Sequence, residues 1–127
     1  MTQEDKELLL KDLCARLPYG VKISIPELWT NEKKIEVLNE IFKGDDGLYR
    51  VNDNGMLIEH IKPYLFPLSS MTEEQKKEFD TTLKYLPAEE INFWTLNTYD
   101  WCNKNHFDYR GLIPKGLAID ATGLNIY

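Results

Sequence analysis

Across Leu17-Pro-Tyr-Gly20 the spacing of apolar residues changes from the helical period to the strand period, and this restricts the chain to a mixed fold. Upstream, Leu10, Leu13, Cys14 and Leu17 recur three or four residues apart, with Leu9 at the edge of the stripe. That spacing predicts a helix over residues 3–17, buried on this face. Thr2-Gln-Glu-Asp5 opens it as a capping-box-like start, and Pro18 with Gly20 stops it. Downstream, Val21, Ile23 and Ile25 alternate with Lys22 and Ser24, a half-buried strand ended by Pro26.

Residues 33–42, KKIEVLNEIF, satisfy two patterns. Ile35, Leu38, Ile41 and Phe42 fit a helix capped by Gly44, whereas Ile35, Val37 and Ile41 fit a strand with Glu36 and Glu40 outward. Turn signals decide for a strand over 34–42. Gly44-Asp-Asp-Gly47 follows, then the β-rich Leu48–Val51, the hairpin signal Asn54-Gly55, and a returning strand from Met56 to Ile61. Residues 20–66 therefore read as a small curled antiparallel sheet, with an SH3-like barrel as its closed form. Lys62-Pro-Tyr-Leu-Phe-Pro67 must be extended, because each proline forces its predecessor out of the α region.

A capping box at Thr72 and Gln75 starts a helix whose stripe is Phe79, Leu83 and Leu86. Pro87 then suits the first turn of another helix, with Glu89 and Glu90 at its positive end. Ile91, Trp94, Thr98, Trp101 and Cys102 share one face of that helix, which ends by Gly111. The expected architecture is one α+β domain over 1–127: helix 1–17, β region 20–66, helical pair 71–110, and an irregular tail over 111–127 that straps the core.

The chain has 127 residues, enough to bury a core without staples, and its 43% hydrophobic and 12% aromatic content is that of a folded protein. Asp and Glu number 21 against 15 Lys and Arg, for a net charge of -6. Nucleic-acid binders draw affinity from phosphate neutralisation, so this balance predicts no nucleic-acid partner. Cys14 and Cys102 make no disulfide framework and fit a reducing compartment. The polar start is no signal peptide and no apolar run spans a bilayer, so the expectation is a cytoplasmic protein with no membrane partner.

Tyr99-Asp-Trp-Cys-Asn-Lys-Asn-His-Phe-Asp-Tyr-Arg110 crowds reactive types together. Cys102 and His106 lie one helical turn apart, and Asp108 could lean in, as metal ligands or as a nucleophile, base and orienter. A structural metal wants more ligands, and Cys14 and His60 are distant in sequence; a nucleophilic thiol wants an exposed, electropositive setting. The preferred reading is a helix end: no catalytic residue, metal or cofactor, with Cys102, His106 and Asp108 kept as the enzyme alternative. Gly111-Leu-Ile-Pro-Lys-Gly116 lacks the Lys-Ser or Lys-Thr of a phosphate loop. Read as a calcium loop, the run around Asn52-Asp-Asn-Gly55 would place Arg50 and Ile61 at two oxygen-ligand positions, so it is a turn. Glu73-Glu74 and Glu89-Glu90 are first-turn dipole partners. Trp29, Tyr19, Tyr49, Tyr64 and Phe66 crowd the β region, more than a small barrel can bury; either they form a core shared with the helices, or some are exposed, with Trp29, Tyr49, Tyr64 and Phe66 the candidate binding residues.

MTQEDKELLLKDLCARLPYGVK, KPYLFPLSSMTEEQKKEF and HFDYRGLIPKGLAIDATGLNIY, about half of the chain, resemble a group of short uncharacterised proteins of gut Bacteroides genomes and their phages or integrated elements. That group has no assigned activity, so the resemblance implies no catalytic residues. It implies a cytoplasmic accessory protein of a phage or mobile element; the acidic, aromatic composition adds the expectation of a non-enzymatic role in binding a protein partner.

Overall fold

The computed structural model describes residues 1–27, 29–30, 32–83 and 94–127. Helix α1 (Gln3–Arg16) begins with the expected box: Thr2 Oγ1 accepts the Asp5 N–H, and the Asp5 carboxylate accepts the Thr2 N–H. Its buried face is rotated from the expected stripe. Leu9, Asp12, Leu13 and Arg16 are buried, whereas Cys14 is exposed. The rotation is possible because Asp12 and Arg16, four residues apart, pair with each other and can enter the core together.

Strand β1 (Lys22–Pro26) pairs antiparallel with β2 (Lys33–Val37) and with the start of β6 (Lys62–Pro67). Strand β6 also takes β7 (Phe107–Asp108) and β8 (Ile119–Asp120), both in parallel. The tail is thus more than an irregular strap. It supplies β8, whose end is fixed by the Ala121 N–H donating to the Leu65 carbonyl at 2.8 Å. A second sheet is the meander β3 (Ile41–Lys43), β4 (Tyr49–Val51) and β5 (Met56–Leu57). The fold is α+β, with two sheets, and no pairing among the described residues closes either into a barrel.

Residues 34–42 are strand and not helix, in two pieces separated by Leu38–Glu40. Asn52 makes the break. Its Oδ1 accepts the N–H groups of Asn39 and Glu40 at 2.9 and 3.3 Å, and its Nδ2 donates to the Val37 carbonyl at 2.9 Å. Asn52 sits at φ 55°, a left-handed conformation that asparagine tolerates. The facing of β2 is the reverse of the expected one. Glu36 and Lys34 oppose the buried Ile23 and Ile25, so Ile35 and Val37 point the other way and are each 47% exposed. Hairpin register outranks the polarity of individual residues here. The strand expected to return from Met56 to Ile61 stops at Leu57, and Ile58–His60 is a 3-10 turn.

Helix α2 (Glu73–Thr82) has the reciprocal Thr72–Gln75 box. Helix α3 (Leu96–Lys104) begins after Thr95, an extended N-cap, so Trp94 precedes the helix instead of lying on its face. The expectations for Leu86, Pro87, Glu89, Glu90 and Ile91 lie outside the described residues. Thr82, Thr95 and Thr98 join α2 to α3: the Thr82 hydroxyl donates to Thr98 Oγ1 at 3.0 Å, and the Thr95 hydroxyl donates to the Thr82 carbonyl at 3.2 Å. Leu9 and Leu13 of α1 pack with Val21, Ile23, Ile25, Leu38, Val51, Ile61, Leu65 and Leu112 in one core that underlies both sheets. Among the described residues no helix is long and apolar enough to cross a membrane.

Candidate functional site

The sequence brings Cys102, His106 and Asp108 into one short stretch, and the fold assigns each a separate task. Cys102 is wholly buried on α3, and burial pushes its thiol up to about 11, so it is protonated at neutral pH. His106 follows the helix at φ 64°, with its ring stacked on Tyr127 at 3.8 Å between centroids. Burial, helped by the positive charges of Arg16 and Lys22, lowers its pKa to about 4. A neutral imidazole below its usual range is a weak base. The Asp108 carboxylate is filled from its own loop, its two oxygens accepting the Leu112 and Ile113 N–H groups at 2.9 Å each. It caps the turn into the tail. Among the described residues no group of three His, Cys, Asp or Glu side chains is placed to hold a metal.

The densest polar cluster joins other residues of this stretch to Asp12 and Arg16 of α1, which carry no chemical signature in the sequence. Arg16 is fully buried; its Nε donates to Asp12 at 2.8 Å and its Nη2 to the Phe107 carbonyl at 2.7 Å. Asp12 also accepts from Arg110 at 3.0 Å, and Arg110 donates to the Tyr109 hydroxyl, which donates to Asn103. This network ties α1 to α3 and β7. The available signal was the four-residue spacing of Asp12 and Arg16 in step with Leu9 and Leu13.

The four candidate binding aromatics separate. Trp29, at the tip of the β1–β2 hairpin, is 94% exposed, and Tyr49 on β4 is exposed too. Tyr64 is only 7% exposed and Phe66 is half-buried against Phe107 and Tyr127. Of the four, Trp29 and Tyr49 remain candidates for an exposed surface, whereas Tyr64 and Phe66 belong to the packed interior and drop out of it. Strand β6, which carries Tyr64 and Phe66, is the hub of its sheet, and β1, β7 and β8 cover it.

Tyr49 opens onto a groove of about 360 Å³ between α1 and the second sheet. Leu10, Leu48, Leu57 and Ile58 form its apolar part, and Gln3, Lys6, Glu7 and Glu59 its polar rim. Lys6 pairs with Glu59 at 3.0 Å across that rim and holds the Glu59 carboxyl below its usual range. The groove is an apolar slot with orienting groups of both signs, a shape suited to receiving a side chain. No family model, curated protein or solved structure matches the chain.

Proposed function

We propose that this chain is a non-enzymatic, cytoplasmic protein-interaction protein, an accessory factor of a phage or mobile element, that engages a protein partner through the groove beside Tyr49. The observation that carries the reading is the exposed pair Leu48 and Tyr49 at the mouth of an apolar slot with a rim of mixed charge. Apolar and aromatic side chains left exposed around a concavity are the usual anchors of recognition surfaces. Exposed Cys14 with no disulfide partner agrees with a reducing compartment. The engagement of Cys102, His106 and Asp108 in packing, stacking and capping supports this reading over an enzyme built on those three residues.

The test is affinity capture from the cells that make the protein, run in parallel with Leu48→Asp and Tyr49→Ala. Both positions are exposed, so both variants should keep the native circular dichroism spectrum and Tm. A partner held by the native protein and lost by both variants supports the reading. Capture that both variants leave unchanged rejects the groove.

A further inference from the structure

We propose that β2 pairs with β2 of a second copy of this chain, forming an antiparallel dimer centred on Ile35. The inference is independent of the groove. Among the described residues β2 pairs with β1 alone, so it is the edge of its sheet. Its backbone orientation follows from the ladder. Leu38 donates to the Val21 carbonyl, and Glu27 donates to the Glu32 carbonyl, at the two ends of the hairpin. By alternation Glu36 and Lys34 bond inward to Ile23 and Ile25, and Lys33, Ile35 and Val37 turn their N–H and C=O groups outward, the Val37 carbonyl already accepting from Asn52 Nδ2 and keeping one lone pair for a further donor.

That outward row is self-complementary. In an antiparallel pairing about Ile35, Lys33 faces Val37 of the second copy, Ile35 faces its own counterpart, and Lys34 faces Glu36. The Lys34–Glu36 contact occurs twice by symmetry, at positions where opposed side chains approach most closely. Edge lysines ordinarily deter strand addition. Here the register answers Lys34 with the Glu36 carboxylate, one oxygen of which accepts from Asn54 at 2.7 Å, and lays the aliphatic stem of Lys33 along Val37. The exposed face of β2 agrees: Ile35 and Val37 lie on one side of the strand, each 47% exposed, and the pairing would cover both. The neighbouring registers that keep the outward row paired would set Lys34 against Lys34 or Glu36 against Glu36 of the second copy, opposing like charges at the centre.

The test is the solution mass, measured by sedimentation velocity up to about 1 mM protein, for the native chain, Lys34→Glu, Glu36→Lys and an equimolar mixture of the two variants. The native protein should shift toward twice the monomer mass as concentration rises. Each single reversal puts like charges at both symmetric contacts and should weaken dimerisation about tenfold or more. The mixture should recover the dimer, because every Glu then meets a Lys on the other chain. Folding damage cannot produce that recovery. A monomer at every concentration, a dimer indifferent to the reversals, or a mixture that stays monomeric would each overturn the proposal, leaving the edge unoccupied or assigned to a different protein.

Discussion

Asp12 shows why a residue on an apolar stripe need not be apolar. Its two oxygens meet two guanidinium groups, Arg16 at 2.8 Å and Arg110 at 3.0 Å, and the Asp12 and Arg16 side chains are both fully buried. Removing the carboxylate leaves Arg16 as a buried charge without its counter-ion, a change that costs about 3–5 kcal/mol in comparable cases. Asp12→Ala should lower the free energy of urea unfolding by that order, whereas Asp12→Leu combined with Arg16→Met should recover much of the loss. Recovery no better than Asp12→Ala alone would show that the pair is needed for more than mutual compensation. Asn52 is a smaller case: Asn52→Ala strips three backbone groups of their partner and should cost about 1–3 kcal/mol in the same measurement. The cysteines give a third check. Cys14 should react at once with a thiol reagent in the native protein, and Cys102 only at the rate of unfolding.

Among the elements, the junction of β1 and β6 depends on a side chain from the tail. The Tyr127 hydroxyl accepts the Lys22 N–H at 2.8 Å and donates to the Tyr64 carbonyl at 2.7 Å. By the register Ile23 to Pro63, these two backbone groups would otherwise face each other, so the phenol stands in for one rung of the ladder. Tyr127→Phe keeps the ring stacked on His106 and removes that rung, and should cost about 1–3 kcal/mol of unfolding free energy. A loss below ~0.3 kcal/mol would mean that the strands close without it. The sequence could not disclose this contact, because it joins residues 105 apart. What it did disclose was local: the capping boxes at Thr2 and Thr72, the turn at Asn52–Gly55, and the strand nature of 34–42 all follow from spacing over a few residues. The facing of β2 and the buried side of α1 were misjudged where two stripes were equally spaced and long-range partners chose between them. Of the candidate aromatics, only exposure can be compared: Trp29 and Tyr49 sit in a local turn and at a strand end and are exposed, while Tyr64 and Phe66 were claimed by strands from the far end of the chain.

For the molecule as a whole, three titratable groups, the buried Cys102, the half-buried His106 and Tyr127 with its ring stacked on His106, set the pH range in which the fold is most stable. His106 is held near 4 against an ordinary 6.5, mainly by burial, so below pH 6.5 the unfolded chain takes up a proton that the folded chain refuses. Stability is therefore fully present above about 6.5 and is lost as pH falls toward 4. Burial acts oppositely on the two acids. Cys102 is raised from 9.0 to about 11 and Tyr127 from 10.0 to about 12, so above pH 9 the unfolded chain releases protons that the folded chain keeps. Stability falls again on that side. Asp46 and Glu59, both held below their ordinary values of 3.8 and 4.5 by partners, add further loss only as pH falls to those values and below, which leaves the limb just below 6.5 to His106. Urea midpoints from pH 4 to 11 should trace a plateau between about 6.5 and 9 with a slope on each side. His106→Gln should flatten the acid slope while leaving the alkaline one, and Cys102→Ala should reduce the alkaline slope while leaving the acid one. An acid slope unchanged in His106→Gln would show that its proton is not the one linked to folding.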